Sequence, residues 1–234
     1  MTDYASTKFS AAPRRVQFLM PFIIKTLQGI DAPRVLDLGC GMGYLLREIG
    51  SVRQDAELIG IDISVPNIEL ARSYSNRSRD VYINYILADY MNVALEPFDL
   101  IVSDSTLQLI SQTQHALFGK IAAEIRPGGF LLVTLPNHCF YNTLLLAFRT
   151  LLRRVDVPAT RRLLLQMANL VYKGYPDNVL KDRINYQFVL PNLKVDLRLL
   201  NMLYQDFGFD LVWSHDEDII IGKLRHSLLC MVRK

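Results

Sequence analysis

The chain has 234 residues, half of them hydrophobic and 21% charged, proportions of a globular protein with length for one ordinary domain carrying an insertion or none, and its net charge of +3 is too small to argue for nucleic acid. No stretch approaches the ~18 uninterrupted apolar residues of a membrane span, and Met1-Thr2-Asp3-Tyr4 lacks the basic and apolar regions of a secretory leader. Cys40, Cys139 and Cys230 are odd in number, far apart and without metal-ligand spacing, so no metal site is expected and a reducing cytoplasm is the expected location.

At the N-terminal end, Phe9–Leu27 sets Phe18, Phe22 and Ile23 at helical spacing, with Pro13 near the helix start. From Pro33 to Pro136 short β-rich runs alternate with helical patterns, the signature of βαβ units and a parallel sheet. The strands expected are Arg34–Leu38, Glu57–Ile61, Tyr82–Leu87, Phe98–Ser103 and Phe130–Leu135, rich in Val, Ile or Leu as strands buried on both faces are. Helices are expected at Tyr44–Val52, Val65–Ser75 and His115–Ile125, the last stopped by Pro127-Gly128-Gly129. Two amphipathic helices follow, Tyr141–Arg154 and Arg161–Tyr172, with Val157-Pro158 between them. The chain then reads as a helix over Val195–Phe207 stopped at Gly208, and strands Phe209–Ser214 and Ser227–Val232 joined through an acidic turn.

The strongest local signal is Val35-Leu36-Asp37-Leu38-Gly39-Cys40-Gly41-Met42-Gly43. An apolar strand runs into a turn with glycine at alternate positions, where the backbone takes positive φ and a ligand approaches closely. The dinucleotide fingerprint G-x-G-x-x-G is not met, because the last glycine falls one residue early and Tyr44 occupies the next position. Asp37, just before the turn, suits a ligand bearing an ammonium group better than one bearing phosphates. Asp62 ends the second strand, where a carboxylate accepts ribose hydroxyls, and Asp89 follows the third, within reach of an adenine amino group. The three acids converge where open α/β sheets bind ligands.

The run Val35–Gly43, Asp62, Asp89, Phe98–Ser103 and Arg126–Gly129 resembles the class I S-adenosylmethionine-dependent methyltransferases, particularly their small-molecule branch. The resemblance implies an α/β, doubly wound, Rossmann-like fold with a seven-stranded sheet of order 3-2-1-4-5-7-6 and the last strand antiparallel. It implies a single domain over residues 1–234, with an N-terminal helical lid at 1–30 and a helical cap inserted at 137–191. S-adenosylmethionine is the cofactor implied and S-adenosylhomocysteine its product. By the same resemblance Gly39, Cys40, Gly41 and Gly43 cradle the methionine end, Asp62 holds the ribose, Ile63 stacks on adenine and Asp89 takes the adenine amino group. Ser103 is expected beside the methionine moiety, and Asp37, Tyr90 and Gln108 among the remaining cofactor contacts.

The pattern is not followed throughout. Gln108 stands near the position where many relatives carry His, and glutamine is no base at neutral pH. No Asn/Asp-Pro-Pro-aromatic tetrapeptide is present, and no cysteine stands where pyrimidine-carbon alkylators use a nucleophile, which lowers the case for DNA or glutamine methylation. Methyl transfer from a sulfonium needs alignment and water exclusion more than proton transfer. His138, after the fifth strand, is the candidate base and also reads as an exposed loop histidine; Tyr141 shares its place. Residues 141–190 carry eight Lys or Arg against three Asp, a net +5 that leaves −2 elsewhere. Arg153-Arg154 and Arg161-Arg162 suit a carboxylate, a phosphate or an anionic membrane surface, or form a solvated helix face. Leu144, Leu145, Phe148, Leu151 and Leu152 are expected to cover the core or an apolar substrate, and Asp182–Pro191 to line the cap. The acceptor expected is a small metabolite, anionic or partly apolar; nucleic acid and membrane contact are less favoured partners, and oligomeric state is open. RNA or protein methylation through the basic cap, and a non-catalytic cofactor-binding subunit, stay open as alternatives.

Overall fold

A computed structural model describes residues 13–75, 82–171, 180, 181, 184, 185, 187–218, 220 and 223–234. Strands β1 (Arg34–Leu38), β2 (Glu57–Asp62), β3 (Ile83–Leu87), β4 (Phe98–Asp104) and β5 (Ile125–Pro136) alternate with helices α2 (Tyr44–Val52), α3 (Val65–Ser75) and α4 (Gln114–Ala123). Helix α1 (Pro13–Thr26) precedes them. Helices α5 (Phe140–Arg154), α6 (Pro158–Val171) and α7 (Leu197–Phe207) and strands β6 (Phe209–Asp216) and β7 (His226–Arg233) follow. The sheet runs β3-β2-β1-β4-β5-β7-β6. β1 to β5 pair in parallel, and β7 lies antiparallel to both β5 and β6. That is the order and the reversed last strand expected from the resemblance.

The central strands are largely apolar because helices cover both faces. On one face Leu36, Ile59, Ile101 and Leu131 pack with Phe118 and Ile121 of α4 and Leu199 and Leu203 of α7. On the other, Val35, Leu58, Leu100 and Leu132 pack with α1, α2 and α3 through Leu19, Ile23, Leu46 and Ile68. Each such fully buried aliphatic side chain contributes about 2 kcal/mol. Residues 13–26 of the expected lid are therefore a core helix, its Val16, Leu19 and Ile23 at most 1% exposed. Tyr4 and Phe9 lie outside the described residues.

Several boundaries differ from the sequence reading for local reasons. Thr113 starts α4 by accepting from Ala116 N at 3.2 Å, and Asp196 starts α7 by accepting from Leu199 N at 3.0 Å. α6 begins at Pro158, the first-turn position proline favours. Pro127-Gly128-Gly129 lies inside β5 rather than before it. Phe98 pairs with Ile125 but Leu100 pairs with Phe130, so the chain bulges there. Gly128 has a φ of 79°, and a Cβ on Gly129 would stand 2.9 Å from Arg126 O, so only glycines close the bulge.

In the expected cap, α5 is turned opposite to the sequence reading. Leu144, Phe148 and Leu151 are 62%, 53% and 58% exposed, whereas Asn142 and Arg149 are buried. Asn142 decides this: its side chain donates to Asn137 O and Arg225 O, both at 2.8 Å, which pins that side of the helix to the sheet end. Tyr172, Lys173, Asp182, Arg183 and Tyr186 lie outside the described residues.

Candidate active site

The site is built over the carboxyl end of β1. Gly39, Gly41 and Gly43 have φ of 84°, 52° and 70°, values that favour glycine. Gly39 N and Cys40 N both donate to Ile61 O, at 2.8 and 3.1 Å, which lays the turn against the end of β2. The turn is also closed sterically: a Cβ on Gly39 would meet Thr106 Oγ1 at 2.2 Å, and one on Gly43 the Tyr85 hydroxyl at 2.2 Å.

Four acids surround this turn. Asp62 accepts from Gly41 N through Oδ2 and from Ser64 N through Oδ1, each at 2.8 Å. Each carboxylate oxygen keeps further acceptor capacity. Asp89 is exposed, caps the short turn at Tyr90–Asn92 and accepts from Met91 N at 3.0 Å. Asp37 is 3% exposed. Burial first, then the charges of Asp104 and Asp62, push its carboxyl up to about 8, and no hydrogen bond offsets them among the described residues. Asp104 goes the other way. Burial works to raise it, but the hydrogen bond and charge of Arg15 and then the Thr134 hydroxyl bring it below the usual carboxylate value.

A crevice of about 590 Å³ opens beside the turn. Of the cofactor contacts expected from sequence, Asp37, Gly39, Cys40, Gly41, Asp62, Ile63, Asp89 and Tyr90 line it. Tyr90 does so from the core, 4% exposed, with its hydroxyl donating to Glu124 Oε2 at 2.7 Å. The Cys40 thiol is pushed well up by burial. Gly43, Ser103 and Gln108 stand behind the lining. Gly43 is the N-cap of α2. Ser103 is buried and donates to Leu38 O at 2.9 Å, joining β4 to β1. Gln108 is buried and donates to Ser105 O at 2.8 Å, holding the short turn at Leu107–Leu109.

The structure does not bring the two candidate catalytic residues to the crevice. His138 is exposed, its backbone N–H on Val195 O. The Tyr141 hydroxyl donates to Ile220 O at 2.9 Å, in the β6–β7 connection. What sequence reasoning missed is Asp104 and Thr106, with Leu19, Tyr44, Leu109 and Ile110 as apolar lining. Asp104 is the residue after Ser103, and in a strand successive side chains point to opposite faces. That alternation was the one signal available for preferring it. Among the described residues no cluster of side chains could hold a metal ion, and no helix is long and apolar enough to cross a membrane.

Strand order, the reversed last strand and an acid-rimmed glycine turn at the end of β1 define a doubly wound α/β fold with its crevice at the carboxyl ends of the strands. Residues 35–129 match the family model of the methyltransferase domain. The chain is 31% identical over 119 residues to the ubiquinone biosynthesis O-methyltransferase of Rhodopseudomonas palustris, covering 48% of this chain and 44% of that protein. It is 34% identical over 104 residues to the carboxy-S-adenosyl-L-methionine synthase of Aliivibrio fischeri, covering 43% of each. The chain thus spans less than half the length of the curated relatives it matches. Among solved structures, the magnesium protoporphyrin IX methyltransferase of Synechocystis PCC 6803 with bound SAH superposes with a TM-score of 0.60 at 14% identity, over 94% of this chain and 82% of that one. The N-methyltransferase NodS of Bradyrhizobium japonicum WM9 gives 0.60 at 14% identity, over 94% and 88%. These structures share the fold.

Proposed function

We propose that the protein is an S-adenosylmethionine-dependent methyltransferase acting on an oxygen or nitrogen of a small molecule. The observation that carries this reading is the buried Asp37 carboxyl in the crevice wall, unpaired by any hydrogen bond among the described residues, beside the Gly39–Gly41 turn. A buried acid in that condition suits an incoming ammonium, the group on the methionine end of this cofactor. Asp62 would accept the ribose hydroxyls on its remaining lone pairs, Ile63 would cover one adenine face, and Asp89 would accept the adenine amino group. The backbone of Gly39, Cys40 and Gly41 would follow the methionine end. When bound, the cofactor supplies a methyl group already activated on a sulfonium.

The protein's part is then to orient the acceptor and exclude water. Leu19, Tyr44, Leu109 and Ile110, edged by Ser111 and Gln112, suit a partly apolar acceptor. Asp104, held ionised by Arg15 and Thr134, is a weak base, so alignment rather than proton abstraction supports the rate. Cys40, Cys139 and Cys230 are all free thiols, which suits the reducing cytoplasm. The test is transfer of labelled methyl from the cofactor by purified protein offered a small-molecule extract. Label in a small product supports the reading. Label only in RNA or protein overturns the acceptor class, and binding without any transfer overturns the enzyme.

A further inference from the structure

Surface helices of globular proteins turn their apolar stripe inward; α5 is inside out. Phe140, Leu144, Phe148, Leu151 and then Val155 follow at steps of three and four residues, so they share one side of the helix. They are 85%, 62%, 53%, 58% and 48% exposed. The opposite side holds Asn142 and Arg149, both buried, so the sheet end takes the polar side and solvent the apolar one. α6 also exposes an apolar row, with Leu163, Met167 and Leu170 exposed by 57%, 55% and 73%. Contiguous exposed apolar residues of this size mark an interaction surface rather than ordinary surface scatter.

The charges around the stripes select the partner. Arg153 and Arg154 close α5, and Arg162 stands in the second turn of α6. All three are exposed and form no ion pair among the described residues. Asp156, the acid between the helices, is taken by Arg161 at 2.6 and 2.7 Å. A second copy docking face to face through these helices would bring the three arginines no free acid, because Asp156 is the only acid in residues 140–171 and Arg161 holds it. An anionic bilayer satisfies both features at once: apolar side chains enter the acyl boundary while arginines stay at the phosphates. We propose that helices α5 and α6 dock the protein on an anionic lipid surface. The docking does not depend on the methyl-transfer assignment.

The test is sedimentation of the full chain with vesicles of phosphatidylglycerol and phosphatidylcholine, or of phosphatidylcholine alone. Binding to the anionic vesicles, weakened by salt, is expected. Leu144→Glu with Leu151→Glu should lower it at least tenfold. Arg153→Glu with Arg154→Glu should remove the preference for phosphatidylglycerol. Because the first pair could disturb folding, a Leu151→Trp variant reads insertion directly, as a blue shift of emission on vesicle addition. No vesicle binding, or binding unchanged in both double variants, overturns the proposal. So does a concentration-dependent dimer that the leucine variants dissolve, since the stripe would then be a contact between copies. Asp62→Ala, placed in the crevice, should leave vesicle binding unchanged, which separates this surface from the proposed active site.

Discussion

Arg15 of α1 grips Asp104 at the end of β4 with two nitrogens. Nε lies 3.0 and 2.9 Å from the two carboxylate oxygens and Nη2 lies 2.7 Å from Oδ1. Nη1 of the same arginine pairs with Glu217 beyond β6, and Thr134 of β5 donates to Asp104 Oδ1 at 2.5 Å. One guanidinium thus ties the first helix to the crevice wall and to the far edge of the sheet.

Arg15→Met should therefore destabilise the fold well beyond the loss of an exposed ion pair. Both side chains are only about one-fifth exposed, and truncating one partner leaves Asp104 charged and half-desolvated, a cost of about 3 kcal/mol. The Asp104 carboxyl is held below its ordinary value of 3.8, so its stabilisation is present above that pH and is lost on acidification below it. Urea denaturation at neutral pH and at pH ~3 checks both points. The deficit of the variant should be large at the first and shrink at the second. Equal stability of variant and wild type at neutral pH would remove the clamp.

Asp62→Ala should weaken S-adenosylmethionine by ~1–3 kcal/mol, because charged acceptors are lost from the ribose hydroxyls. The same change frees Gly41 N, which now donates to Asp62 Oδ2 at 2.8 Å. Part of the loss would then come from a slackened turn. Asp62→Asn keeps one carbonyl oxygen for that N–H and should lose less affinity than alanine. Calorimetry on both variants distinguishes the two contributions, and full affinity in a folded alanine variant would end the ribose assignment.

The parts of the site that sequence made legible are those written locally. Gly39, Gly41 and Gly43 alternate because their turn needs positive φ at each, and Asp62 and Asp89 end or follow apolar runs that are recognisable as strands. Asp104 was not legible, because its partner lies 89 residues away and only the folded sheet brings Arg15 to it. Tyr90 lines the crevice as expected, and Glu124, 34 residues on, draws its hydroxyl into the core. The orientation of α5 was misread because leucines stand on both sides of it. The informative pair was Asn142 and Arg149, seven residues apart and so on one side: Asn142 donates to the carbonyls of the residue after β5 and of the residue before β7, and Arg149 donates to Val189 O.

His138→Ala and Tyr141→Phe should each leave kcat within about threefold of wild type. General-base catalysis contributes ~10²–10⁴-fold where it operates, and neither side chain lines the crevice. Tyr141→Phe removes a hydrogen bond to Ile220 O and should cost stability of about 1 kcal/mol at most. A hundredfold fall in kcat for His138→Ala, with unchanged cofactor affinity, would restore it as the base.

Asp37 should make cofactor binding a proton-releasing step. With its carboxyl pushed to about 8, the group is about nine-tenths protonated at pH 7 in the free protein. An ammonium arriving beside it favours the carboxylate, so binding releases ~0.9 proton at pH 7, and less as pH rises past 8. Calorimetry in two buffers of different ionisation enthalpy measures that number, and Asp37→Asn should abolish it while weakening binding. The same residue sets a stability slope in the free protein. Between its ordinary value of 3.8 and about 8 the folded chain holds a proton that the unfolded chain has lost, so stability falls as pH rises across that window. Asp37→Asn should flatten this slope and be relatively more stable at pH 8 than at pH 5. A binding enthalpy independent of buffer, together with an unchanged slope in the variant, would mean that Asp37 is already ionised before the cofactor arrives.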